Sequence, residues 1–388
     1  MMGALDVPKV TASWRSFGQW IQLTHSLSDG TCYDLATSAP ALWTNARIEA
    51  LTGCEMNFRE VPHSYGKPEG GRLLRQRVAE FLDTDPDYVI ITNGASEALL
   101  LALSELNGLR ETVLVPTPTY PGFLAIAEMM GMKTKAYPLP TTREGTVDIE
   151  RIAEFATSRT AACIVNSPHN PTGAVLPHQK AKELAALLGD KGVALVIDEV
   201  FHPIYNHIKR QPSSAGLENV LSVGDLSKAF LLPGLRIGWL VVSDPVKRKA
   251  IIDLRRHISV SGAPLLEFIA DYVLAEREPI IQAVQSQVAR NMAIAQRVIG
   301  ESRCITWHAP AGGTLAFPEL LGRTAYSDDW QRLARSGVLV VPGSCFGSPQ
   351  HFRISLAVKD DGFERAIQQI CSFCDSLPIN HNLKGALR

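Results

Sequence analysis

Apolar, β-branched runs that stop at small or polar residues recur along the chain, each followed by a stretch with apolar residues at helical spacing. Val89-Ile90-Ile91-Thr92 leads through Asn93-Gly94 into Ala95-Ser96-Glu97-Ala98, after which Leu99, Leu100, Ala102 and Leu103 keep the helical period. Ala194-Leu195-Val196-Ile197 stops at Asp198-Glu199, and Ile164-Val165 stops at Asn166-Ser167-Pro168. Strands apolar on both faces and joined by helices belong to a parallel sheet buried between helical layers. The alternation from about Ala46 to Pro279 therefore predicts an α/β fold built on a doubly wound, mostly parallel sheet. Within it, residues 71–82 carry Leu74, Val78 and Phe81 at helical spacing. Upstream, residues 12–27 put Trp14, Phe17 and Ile21 on one helix face, which reads as an arm over a site or a partner subunit. Pro279 to Gly300 forms a long connecting helix, and shorter strands near residues 314–317, 338–341 and 352–357 pack with helices in a smaller α/β lobe. The expected division is a large domain over residues 46–285, with residues 1–45 and 286–388 forming the arm and the small domain.

With 388 residues the chain is long enough for two lobes. Thirty-eight basic against 39 acidic residues leave a net charge of −1 with mixed signs, so there is no basic field to attract nucleic acid. No apolar run reaches the roughly 18 residues of a membrane span. Met1 to Val10 lacks the basic and apolar stretches of a secretion signal, and the chain reads as cytoplasmic with no membrane partner. Seven cysteines, an odd number, fit reduced thiols. Cys371 and Cys374 form a lone CxxC on a predicted helix with no second pair, which favours packing over a metal site, and His202 and His207 match no helix face.

Candidate chemistry centres on Leu226-Ser227-Lys228-Ala229 and the nearby Pro233-Gly234-Leu235-Arg236. A buried lysine amine forms an imine with an aldehyde, and an arginine a short turn later holds the anionic end of the same molecule. Lysine plus phosphate clamp suggests pyridoxal phosphate. Asp198, at the C-terminal end of its strand, reaches the crevice where open α/β sheets bind ligands, and a carboxylate there can pair with a protonated pyridine nitrogen. The turn Gly94-Ala95-Ser96 leaves free backbone N–H groups at a helix start beside a hydroxyl, an anion site, although an ordinary capped helix looks similar. In Ser167-Pro168-His169-Asn170-Pro171-Thr172-Gly173 the following proline restricts Asn170 to extended geometry and fixes its amide. Each segment alone has a bland explanation. Their order and spacing together point to one site.

In these segments the chain resembles the class I/II aminotransferases, fold-type I pyridoxal phosphate enzymes, and the likeness runs from about Tyr33 to the final helix. The resemblance implies that Lys228 bonds the cofactor and moves protons at the substrate α-carbon, that Asp198 pairs with the pyridine nitrogen and that Asn170 contacts the ring hydroxyl oxygen. It implies a phosphate cup of Ala95, Ser96, Ser227 and Arg236, and Tyr120 stacked on the ring. Arg353, in Phe352-Arg353-Ile354, matches the arginine that grips the substrate carboxylate by a planar two-point contact, with Asn170 beside it. Tyr65 matches a tyrosine that reaches the phosphate of the neighbouring subunit, which implies a homodimer with shared active sites.

Three positions depart from the family. Three residues after Asp198, where relatives place a tyrosine that donates to the cofactor's ring oxygen, stands Phe201. Without that donor the ring oxygen should hold the imine proton more tightly, unless His202, Tyr205 or a water replaces it. In a pH titration of the visible spectrum the imine is expected to stay protonated through neutrality, and loss of its proton well below neutrality would remove the basis for this expectation. Asp225 replaces the serine that relatives place two residues before Ser227. A carboxylate about 4 Å from a phosphate is opposed by roughly 4 kcal/mol per charge pair at a dielectric near 20, so Asp225 should turn to backbone donors or a basic side chain. Ser38 replaces a glycine lining the substrate site, narrowing it and adding a hydroxyl.

The expected function is a pyridoxal phosphate enzyme that removes the α-proton of an amino acid, with aminotransferase as the default. A β/γ-eliminating, replacing or cyclising enzyme of specialised metabolism is the alternative, raised by Phe201 and Asp225. A cofactor-sensing regulator is more remote, since the stretch before Tyr33 is too short for a helix-turn-helix module. The absence of arginine from Ser259 to Pro264 disfavours acidic side chains on the substrate.

Overall fold

In a computed structural model, the structure describes residues 13–27, 32–40, 43–108, 110–139, 147–359 and 361–378. A seven-stranded sheet forms the centre: Val89–Thr92 (β1), Thr112–Thr117 (β2), Lys133–Pro138 (β3), Thr160–Asn166 (β4), Ala194–Asp198 (β5), Val220–Asp225 (β6) and Gly238–Val242 (β7). Its order is β1-β7-β6-β5-β4-β2-β3, and β7 alone runs against the rest. Alternate residues point to opposite faces, and both faces are covered. Val113, Val115, Ile164 and Val196 enter one core cluster, while Leu114, Cys163, Val165, Leu195 and Ile197 enter another. Burial on both sides is why these strands read as continuous apolar runs rather than as alternating ones.

Because β4, β5 and β6 are parallel neighbours, their C-terminal ends lie side by side. Asn166 pairs in register with Asp198, and β6 ends at Asp225 one strand further on. Three polar residues thus terminate three buried apolar strands along one edge. The helix that follows β1, Ala95–Leu106, starts at the same edge and buries Leu99, Ala102 and Leu103 against the sheet.

The smaller lobe holds a three-stranded antiparallel sheet with Phe352–Ser355 (β10) at its centre, flanked by Leu315–Ala316 (β8) and Val341–Pro342 (β9). The single strand expected over residues 338–341 is two: Val338–Leu339 pairs with Tyr33–Asp34, and after Val340 the chain joins β10. Helices Arg277–Gly300 and Phe363–Ser376 pack on each other behind this sheet. Cys371 and Cys374 lie about one turn apart on the second of these helices, with Cys374 buried in the core.

The arm is the helix Trp14–Leu27, and its Trp20 indole donates to the Val340 carbonyl at 2.8 Å, which ties the arm to the small lobe. The predicted start of the arm at residue 12 and the Trp14 side chain lie outside the described residues. Among the described residues, no helix is long and apolar enough to cross a membrane.

Candidate active site

The edge formed by β4, β5 and β6 opens into a cavity of about 320 Å³ between the large lobe, the small lobe and the arm. Lys228 follows β6 and enters it, donating from Nζ to Ser38 Oγ at 2.8 Å. Burial lowers the lysine pKa, opposed by Asp225 and Asp198 and reinforced by Arg353. A lowered pKa leaves more of the amine neutral, the state in which it attacks carbonyls and accepts protons.

Asp198 closes the floor of the cavity. It is 4% exposed, and its Oδ1 accepts the Val200 N–H at 3.0 Å. Burial pushes its pKa up to about 7, against the Val200 hydrogen bond and with help from the charge on Asp225. A carboxylate so desolvated calls for a cation to pair with.

At the neighbouring strand end, Asn166 Nδ2 donates to the Asp198 carbonyl at 2.9 Å, and Asn166 Oδ1 accepts the Asn170 N–H at 2.6 Å. These bonds fix Asn170, whose Oδ1 accepts Arg353 Nη1 at 3.3 Å. Arg353 Nη2 donates to the Ala36 carbonyl at 2.7 Å, and its Nε, although buried, has no partner. Burial holds the Arg353 pKa down to about 10. Both of its bonded acceptors are neutral oxygens, so among the described residues no carboxylate is hydrogen-bonded to this guanidinium, although the charge of Asp34 acts on it.

The opposite end of the cavity brings an arginine to the first turn of a helix, a donor set that suits an anion. Gly94 turns the chain from β1 into the helix Ala95–Leu106 with φ +79°, and a Cβ there would fall 2.3 Å from Arg236 Nη2, so only glycine lets the arginine approach. Arg236 is held by the Pro233 and Asn93 carbonyls at 3.1 and 3.3 Å. Ala95, Ser96 and Ser227 line the cavity beside it. Asp225 shares this end. Its Oδ1 accepts the Ser227 N–H at 2.9 Å, and its Oδ2 accepts the Ala95 N–H at 3.4 Å, which is the turn towards backbone donors expected of it.

Tyr120 lines the cavity wall, its ring edge-on to Phe17 of the arm and to Phe123, with centroids 6.2 and 5.4 Å away. Phe201 is buried at the cavity, and the ring packs on Gly313, where a Cβ would lie 3.4 Å from Cγ. The two neighbouring side chains with a hydrogen to give do not take over from a hydroxyl at this position. His202 Nδ1 pairs with Tyr205 Oη at 3.3 Å, the His202 ring packs on Phe81, and neither residue lines the cavity.

Lys228, Asp198, Asn170, Arg353, Arg236, Ala95, Ser96, Ser227, Tyr120 and Ser38 therefore all border one space. Tyr65 does not. It is 86% exposed, beside Ser259, Ser261 and Gly262 in a depression at the surface. None of the segment Ser259 to Pro264, on which the argument about acidic substrates rested, lines the cavity. Among the described residues that line the cavity, the arginines are Arg236 and Arg353.

Several lining residues were not anticipated. Asn166 looks in the sequence like a strand end and no more, although its spacing of four from Asn170 is a usable signal. The arm adds Thr24 to the Phe17 and Ile21 of its expected site-covering face, and Asp34 anchors the turn before Ser38 by accepting the Ala36 and Thr37 N–H groups at 2.8 and 3.0 Å. Nothing local in the sequence marks Asp34.

The family described as aminotransferase class I and II matches residues 27–370. Capreomycidine synthase of Streptomyces vinaceus is 30% identical over 344 residues, spanning 87% of this chain and 88% of the synthase. A probable aspartate aminotransferase of Methanocaldococcus jannaschii is 28% identical over 359 residues, spanning 88% and 93%. The crystal structure of the PLP-dependent cyclase OrfR superposes with a TM-score of 0.83 at 26% identity, over 97% of this chain and 99% of the cyclase.

Proposed function

From the premise that the chain belongs to the class I and II aminotransferase family, whose cofactor is pyridoxal phosphate, we propose that it transaminates an α-amino acid in the cavity around Lys228. The observation that carries this reading is the convergence on one cavity of Asp198 and Lys228, at the ends of adjacent strands, with Arg353 from the other lobe. The donors fit the cofactor: a desolvated carboxylate short of a cation for the ring nitrogen, a buried amine for the aldehyde, and Arg236 with the first turn of a helix for the phosphate.

When bound, pyridoxal phosphate supplies an aldehyde that condenses with amines and a ring that accepts the electron pair left behind by a departing proton. Lys228 takes the proton from the substrate α-carbon and holds it for return. Asp198, negatively charged at the ring nitrogen, keeps that nitrogen cationic. Arg353, with its unpartnered Nε and with Asn170 alongside, fixes the substrate carboxylate and so aims the α-hydrogen at the lysine. Ser38 holds the amine in place at 2.8 Å. Tyr120, Phe17 and Phe201 exclude water from the wall. The active unit is a cytoplasmic homodimer in which Tyr65 serves the partner's site. The outward exposure of Tyr65 supports the dimer, and seven free cysteines fit a reducing compartment.

A second reading, elimination or ring closure at the β- or γ-carbon, shares every step up to proton removal. It is favoured by Phe201 and by the likeness to a synthase and a cyclase. Single-turnover mixing with an amino-acid panel separates the two. One equivalent of keto acid with loss of the aldehyde chromophore is expected for transamination. A keto acid, or a rearranged or ring-closed product, with the chromophore restored would assign the second reading, and no spectral response to any amino acid would count against both.

A further inference from the structure

Asp225 is buried at the phosphate end of the cavity, in a place where a carboxylate is an obstacle. Its two oxygens take up two backbone donors there: the Ser227 N–H at 2.9 Å and, at 3.4 Å, the Ala95 N–H, the first amide of a 12-residue helix. The other charged groups facing it are Lys228, Asp198 and Arg236. The guanidinium bonds of Arg236 run to the Pro233 and Asn93 carbonyls.

We propose that Asp225 is an internal anion that competes with the cofactor phosphate for the backbone donors of the cup and so makes pyridoxal phosphate loosely held and exchangeable. This rests on the cofactor reading above. A phosphate arriving beside Ser96 and Arg236 either displaces the carboxylate from the Ala95 N–H or forgoes that donor. In both cases it faces a negative charge where relatives offer a hydroxyl. Pyridoxal, the same aldehyde without the phosphate, makes no such demand. A purely structural role, capping the turn before Lys228, would instead act on both compounds alike.

The test is a titration of the cofactor-free protein with pyridoxal phosphate and, separately, with pyridoxal, followed by quenching of tryptophan fluorescence, for the wild type, Asp225→Ser and Asp225→Asn. Both variants are expected to bind pyridoxal phosphate roughly tenfold or more tightly and to release it more slowly on dialysis, with pyridoxal affinity changed by less than about twofold. Asparagine matches the shape of the carboxylate and carries the test if the serine variant fails to fold. Equal or weaker pyridoxal phosphate binding in the variants, or an equal gain for pyridoxal, overturns the proposal. A wild-type protein that binds neither compound would instead overturn the cofactor reading itself.

Discussion

Lys228→Ala is expected to lower turnover by at least about 10⁴-fold, because one side chain supplies both the nucleophile that holds the cofactor and the base that moves the α-proton. The fold should survive the change. The hydrogen bond of Lys228 runs to a serine hydroxyl, and its lowered pKa means that burial of the amine outweighs the attraction of Asp225 and Asp198, so its loss gives up no net charge stabilisation. The cofactor-free variant should therefore melt no lower than the wild type. Steady-state rates on whichever substrate the panel identifies, together with a thermal melt, check both halves. Full activity in the variant would remove Lys228 from the mechanism.

Asp198→Asn should act in opposite directions on activity and stability. Turnover should fall by roughly 10²- to 10³-fold, since an amide cannot hold the ring nitrogen cationic and a preorganised charge in a water-excluded site is worth about that much. Stability of the cofactor-free protein should rise with the substitution. The pKa of Asp198 in the fold is pushed up to about 7, against about 3.9 in an unfolded chain. A carboxylate raised in this way costs nothing below its unfolded pKa. The cost grows as pH climbs from about 4 and is complete above about 7, where the shift corresponds to roughly 4 kcal/mol. Asparagine carries no such penalty, so cofactor-free wild type and variant should melt close together near pH 4 and a few degrees apart at pH 8, with the variant higher. Coincident melting at pH 8 would show that Asp198 is not desolvated as the structure places it.

The central sheet was legible because its strands are buried on both faces, which leaves the sequence little choice but continuous apolar runs with polar residues at their ends. Asp198 and Asn166 mark those ends, and their side-by-side placement follows from parallel pairing. Lys228, Arg236 and the helix start at Ala95 were legible as local patterns. Contacts closed over long distances in sequence were harder. Arg353 meets Asn170 across 183 positions, and Ser38 meets Lys228 across 190, so no window of sequence contains either pair. The arm showed its amphipathic face and left two things for it to cover, a site or a partner subunit, and its Phe17 and Ile21 border the cavity. That Phe17 and Ile21 border the cavity depends on the seat of Trp20 on the small lobe. Residues 338–341 look like one strand because Val338, Leu339, Val340 and Val341 are all apolar, and only the competition between Tyr33–Asp34 and β10 for partners divides them.

The departures from the family separate in the same way. Phe201 was legible as a missing hydroxyl, but the structure was needed to show that His202 and Tyr205 spend their hydrogen bond on each other. Asp225 was legible as a misplaced charge, while the amides it occupies, one of them 130 positions away, were not.

The most direct test of the account is reduction of the cofactor-loaded protein with borohydride followed by peptide mapping. The mass of the reduced cofactor is expected on the peptide carrying Lys228, and the Lys228→Ala protein is expected to be left unlabelled. Label on another lysine, or no label on any, would contradict it.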